Sequence, residues 1–226
     1  MAENTEKTQA EIAYSLVEYT AVFKKPILEA WRVPGEIVAA VLNALEPWGF
    51  NLDGVEAKTH MEKLNEYAIV FRRSKPPTPS QSLALGLGKV VVRAENLDWT
   101  DAEQFIAGQT AALKAIRETG RAEIESQSLG LAVHIQVATK PRKDVTALLL
   151  SPVAFKLLDG DVKFPGVILL REKSTIVIDA SVAYANGLFV RIVREYAPEV
   201  ALEQLAEILR KDEEQLFDIL GLEGTL

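Results

Sequence analysis

Apolar and polar residues alternate without a break from Leu129 to Val137. Leu129, Leu131, Val133, Ile135 and Val137 are separated by Gly130, Ala132, His134 and Gln136. A period of two predicts a strand with one dry and one wet face. Just upstream the period changes. Phe105, Ile106, Ala112, Leu113 and Ile116 recur at helical spacing, with Gln109 interrupting the stripe, so 101–119 is expected to be a helix. Thr100 and Glu103 have the spacing of a capping box, and Gly120 offers a left-handed residue to close the helix. Val90-Val91-Val92, followed by Ala94 and Leu97, reads as the strand that leads in, over 87–97. A helix with a single apolar stripe cannot bury it alone, so this one is expected to lie on the sheet its flanking strands build.

The same patterns recur along the chain. Residues 12–24 are rich in Tyr, Val, Phe and Thr and predict a strand that Pro26 ends. Pro34 opens a helix over 34–46 with Ile37, Val38, Val41, Leu42 and Leu45 as its stripe, and Pro47 and Gly49 stop it. Two strands, 50–59 and 66–72, follow, with turn residues from Asn51 to Gly54. Ser74 to Ser82 (SKPPTPSQS) cannot hold a helix or a central strand and reads as a stiff connection. Beyond the strand at 129–137 comes another at 145–150.

The last third is different. Asp159-Gly160 marks a small hairpin between 153–158 and 162–164, and Val167 to Arg171 and Thr175 to Ala185 read as strands. Asn186-Gly187 has the composition of a two-residue hairpin turn into 188–196, which favours a meander over a helix across 182–196. Pro198 then starts a long terminal helix over 199–220, with Leu202, Leu205, Leu209, Leu216, Phe217 and Leu220 on one side and Gly221 at its end.

The fold class expected from this order is α+β. Two βαββ-like units, 11–73 and 87–152, are joined by a Pro/Ser-rich connector at 74–86 and form a mixed or antiparallel sheet with helices on one face. Residues 153–226 add the antiparallel meander and the terminal helix, and residues 1–10 are expected to be a disordered tail.

Composition narrows the function. The chain has 226 residues, enough for a substantial core in one large or two small domains. A net charge of −7 argues against a nucleic-acid or anionic-membrane surface. With no cysteine there is no disulfide, thiolate nucleophile or cysteine-ligated metal, which suits a cytoplasmic protein. The polar N-terminus is not a signal peptide, and no apolar run approaches the length of a membrane-spanning helix.

Motifs that carry chemistry are scarce. Gly86-Leu-Gly88-Lys89 is followed by strand residues, where a phosphate loop needs a helix N-terminus. Glu123 and Glu125 alternate on a strand, but Gln127 stands where a triphosphate-binding Glu-x-Glu-x-Lys strand needs lysine. Asp159 and Asp161 lack the further oxygen ligands of a calcium loop, and His60 lies in a charged turn. No paired-histidine spacing occurs, and no metal or cofactor is expected. Three residues remain as candidate catalytic or ligand-binding groups. Asp179 sits in the apolar run Thr175-Ile-Val-Ile and needs a partner, for which Arg191 and Arg194 on the next strand are available. His134 sits on the polar side of its strand.

Two functions fit. One is a non-enzymatic binding or assembly module that works through sheet edges or a helical face, with a protein partner or a second copy of itself in a homodimer. The other is an enzyme or small-ligand binder with a cleft between its two units, using Asp179, Arg191 and His134.

Overall fold

A computed structural model describes residues 8–58, 68–73, 80–96, 99–137, 166–220 and 222–223. In chain order the elements are β1 (Thr8–Phe23), α1 (Leu28–Arg32), α2 (Pro34–Leu45), a 3-10 turn (Glu46–Trp48), β2 (Phe50–Lys58), β3 (Ala68–Arg73), β4 (Gln81–Gly86) and β5 (Lys89–Glu95). Then follow α3 (Trp99–Gly120), β6 (Ile124–Val137), β7 (Val167–Arg171), β8 (Ser174–Ala180), β9 (Gly187–Tyr196), α4 (Leu202–Leu220) and β10 (Leu222–Glu223). The class is α+β, with extensive antiparallel strand pairing and few helices.

The chain forms two compact units. The larger comprises Leu16–Leu129 and Glu195–Ala206; the smaller comprises Met1–Ser15, Gly130–Arg194 and Glu207–Leu226.

In the larger unit the strand order is β2-β3-β4-β5-β1-β6. Register aligns the apolar positions into rows: Phe71 faces Leu83, Leu83 faces Val92, and Val92 faces Tyr19. A parallel row runs Ile69, Leu85, Val90, Ala21, and every residue of both rows is buried. Such rows form because strands present alternate side chains to one face, so matched register collects them. Of the stripes expected on the two helices, Ile37, Val41 and Leu45 on α2 and Phe105, Ala112, Leu113 and Ile116 on α3 are buried, while Val38, Leu42 and Ile106 are half-buried.

In the smaller unit β6, β9, β8 and β7 lie in that order, and β7-β8-β9 is an antiparallel meander. Ile176 and Ile178 face Ile192 and Val190, and Leu131, Val133, Ile135 and Val137 of β6 are buried. The first residues of β1 pair in parallel with β10, Thr8 opposite Leu222.

Several expectations are corrected. Residues 8–10, expected as tail, belong to β1, because β10 supplies a partner for them. The chain after Pro26 forms the short helix α1, which the sequence did not announce. Residues 81–86, expected as connector, are strand β4. Its polar Gln81 and Ser82 resemble loop, but Gln81, Leu83 and Leu85 alternate inward between β3 and β5. Two strands therefore precede α3 where one was expected. Gly54, expected in a turn, lies within β2, where the pairing register with β3 shifts between Phe50 and Val55.

Helix α3 begins at Trp99, one residue before the expected cap, and the Thr100 side chain lies outside the described residues. Gly120 is its last helical residue; the left-handed position falls to Arg121, with φ of 50°. The terminal helix is shorter than expected. It starts at Leu202; ahead of it the Val200 N–H closes a turn on the Ala197 carbonyl at 3.1 Å, and the carbonyls of Ala197 and Val200 also accept a side chain described below. Asn186-Gly187 does not form a two-residue turn. The loop spans 181–186, closed by a bond from the Ser181 N–H to the Gly187 carbonyl at 2.9 Å. Glycine is required there for close approach: a Cβ at Gly187 would sit 3.0 Å from the Ile135 carbonyl and 2.9 Å from the Tyr184 Cβ. The expected strand at 145–150, the 153–164 hairpin, His60 and Asp159/Asp161 lie outside the described residues.

Candidate functional site

The three residues singled out by sequence all fall in the smaller unit, on the face opposite its buried side chains. His134 is half-buried. Its ring centroid lies 5.1 Å from that of Phe189, 6.0 Å from Tyr14 and 6.1 Å from Tyr184. Its Nδ1 is 2.7 Å from the hydroxyl of Ser181. That hydroxyl also accepts the backbone N–H groups of Ala183 at 3.2 Å and Tyr184 at 3.1 Å. With two backbone N–H groups donating to Oγ, the ring tautomer decides whether the hydroxyl donates to Nδ1 or accepts from it. A serine nucleophile needs an accessible oxygen with a free lone pair. Ser181 is buried and has neither. The Ser181–His134 pair therefore anchors the 181–186 loop on β6, helped by Asn186, which donates to the Val137 carbonyl at 3.1 Å.

Asp179 lies opposite Phe189, and Arg191 lies opposite Val177. The two charges are thus diagonal neighbours on one face and form no ion pair. Arg194 stands opposite Ser174, on the other parity of the strand. Asp179 is exposed, so water solvates its carboxylate and the burial cost that called for a partner does not arise. Its Oδ1 accepts the Ala180 N–H at 2.7 Å. His134, Asp179 and Arg191 share a sheet face, but only His134 belongs to a packed cluster. A shallow cavity of 360 Å³ beside it is lined by Tyr184, Asn186, Gln136 and Glu11.

A larger concavity lies wholly within the larger unit. A cleft of 730 Å³ is bounded by the second half of α3, the start of β6, Tyr19 of β1 and residues 198–203. Its floor is a buried polar relay. The Tyr19 hydroxyl donates to Gln127 Oε1 at 2.8 Å, and Gln127 Nε2 donates to the carbonyls of Ala197 and Val200, both at 2.7 Å. One amide thus ties β1 to the segment that forms the far wall. Tyr19 and Gln127 are 3 % exposed each. Burial pushes the Tyr19 phenol up to about 12, against the opposing pull of the Arg117 guanidinium. The phenol is therefore a fixed neutral donor at physiological pH.

No residue of this cleft carries a motif, but parity along the strands holds a signal for it. Gln127 has the same parity as Leu129 and Leu131, so the alternation already assigned it to the dry face. Tyr19 likewise shares parity with Val17, Ala21 and Phe23. A polar group on a dry face must find partners, and Gln127 finds three.

Among the described residues no group of three or more His, Asp or Glu side chains is placed to hold a metal ion. No described helix is long and apolar enough to cross a membrane. No family model matches the chain, and no curated protein matches it. Among solved structures it is similar to the di-domain ARO/CYC BexL from the BE-7585A biosynthetic pathway, at 12 % identity over 93 % of this chain and 99 % of that one, with a TM-score of 0.22. A score that low does not amount to a shared backbone frame, and no property of that protein transfers to this one.

Proposed function

We propose that this chain is a non-enzymatic assembly module that pairs with a second copy of itself along strand β7. The observation that carries this reading is the exposure of consecutive apolar side chains: Ile168 is 64 % exposed, Leu169 36 % and Leu170 77 %. Among the described residues β7 pairs only with β8, and no described strand lies along its other edge. Proteins that remain monomeric blunt such edges with lysine, proline or a bulge. From 167 to 170 this strand carries only Val, Ile and Leu, and its first charge is Arg171.

The occupant follows from the sequence of the edge. In an antiparallel pairing centred on Leu169, Leu169 meets its own copy and Ile168 meets Leu170 of the partner subunit. Each apolar residue then covers another, and Arg171 falls at the rim beside Val167 of the partner subunit. Five paired residues bury far less than the roughly 1,200–2,000 Å² of a standard stable complex. The dimer is therefore expected to dissociate in the micromolar range and to exchange rapidly.

Sedimentation velocity across the micromolar range tests this. The wild-type chain is expected to show a concentration-dependent dimer, and the double variant Ile168→Lys/Leu170→Lys a monomer with an unchanged circular dichroism spectrum. A wild-type chain that stays monomeric throughout, or a dimer that survives the double substitution, refutes the proposal.

A further inference from the structure

The cleft above Tyr19 has walls of opposite free charge. On the α3 side, Lys114 lies 4.0 Å from Glu118, and Glu123 is paired with Lys24 at 3.1 Å. Arg117 and Arg121 are exposed, and among the described residues neither forms an ion pair. Across the cleft, Glu199 and Glu203 are exposed and form no ion pair among the described residues. The two arginines and two glutamates line one concavity yet do not reach each other. The floor between them is neutral, with Tyr19, Leu113 and Ala122, and the Thr110 hydroxyl is buried beside it without a hydrogen-bond partner.

A buried hydroxyl without a partner is uncommon in a native structure, and a ligand atom or water in the cleft would complete its bonding. Its neighbours decide the class of ligand. A purely anionic guest held by Arg117 and Arg121 would face two carboxylates, and a purely cationic one held by the glutamates would face two guanidinium groups. A dipolar guest satisfies both walls. Guanidinium groups match a carboxylate in planar, bidentate geometry, and carboxylates match an ammonium. The volume of 730 Å³ is within the roughly 300–1,000 Å³ range of small-molecule sites and exceeds what a single free amino acid fills. Arg121 itself is held in the left-handed region, with φ of 50°, a conformation uncommon outside glycine, asparagine and aspartate.

We propose that this cleft binds a zwitterionic short peptide, with its terminal carboxylate on Arg117 and Arg121 and its terminal ammonium on Glu199 and Glu203. The apolar floor then takes the first side chains, and Thr110 bonds the peptide backbone. This site lies in the larger unit, apart from the residues of the β7 edge, and neither proposal depends on the other.

Calorimetric titration of the full chain with the dipeptide Ala-Phe, its N-acetyl form and its C-terminal amide tests the assignment. The free dipeptide is expected to bind, and each capped form to bind about tenfold more weakly, the cost of one charge-assisted bond. In Arg117→Gln/Arg121→Gln the amide should bind as well as the free dipeptide, while the N-acetyl form remains weaker still. The proposal is overturned if the free dipeptide gives no heat and no protection of the cleft in hydrogen exchange. It is equally overturned if either capped form binds as tightly as the free one, since the site would then read a single charge.

Discussion

Replacing Tyr19 by phenylalanine isolates one hydrogen bond at the floor of the cleft. The ring stays, so packing against Val92 in the register row is retained. The hydroxyl that donates to Gln127 Oε1 at 2.8 Å is lost, and a carbonyl in a side chain only 3 % exposed has no donor. An orphaned buried acceptor costs about 1–3 kcal/mol. For a chain of this length that lowers the melting temperature by roughly 2–12 °C. The pH dependence provides a second, independent reading. The folded phenol titrates near 12, above its ordinary value of 10, because burial opposes the phenolate. Below pH 10 both folded and unfolded forms are neutral, and the contribution to stability is complete. As pH rises from 10 to 12 the unfolded chain releases the proton while the folded one holds it, so stability falls, by about 3 kcal/mol over the window. Tyr19→Phe removes this fall. Thermal melts of both proteins, monitored by circular dichroism from pH 7 upward, should show the variant less stable at neutral pH and the gap narrowing above pH 10. A variant as stable as wild type at pH 7 and equally steep in alkali would refute the buried relay.

Two substitutions test other features of the larger unit. Gln109 is 2 % exposed and its Oε1 has no partner, so Gln109→Met should raise stability by about 1 kcal/mol, read as a higher urea midpoint at unchanged slope; a lower midpoint would show the amide to be needed. A Cβ at Gly54 would fall on the backbone carbonyl of Arg72, so Gly54→Ala should cost about 2 kcal/mol or more and loosen amide protection in β2 and β3, whereas a change within about 0.5 kcal/mol would mean the backbone yields freely there.

Parity and period carried most of what was legible from residues alone. The strand through Leu129–Val137, the α2 and α3 stripes and the α+β class follow from spacing, because a strand or helix repeats its geometry at a fixed interval and burial must follow that interval. Local chemistry was less reliable. Asn186-Gly187 has a hairpin composition, yet Gly187 answers to the Ile135 carbonyl across the sheet, a neighbour 52 positions away. β4 resembled loop until β3 and β5 were placed on either side of it.

Spacing along the chain determined the helices α2 and α3, the strand through Leu129–Val137 and the dry side of each. Tertiary placement decided where its polar groups lead. Gln127 shares the parity of Leu129 and Leu131, but nothing near it in sequence names Tyr19, Ala197 or Val200 as its partners. Likewise His134 appeared to face water, until Ser181, Tyr184 and Phe189 were brought over it from another strand and its loop. The physical reason is that hydrophobic burial is additive along a chain and leaves a periodic trace, whereas a hydrogen bond or an ion pair is a meeting of two groups whose separation in sequence is unconstrained.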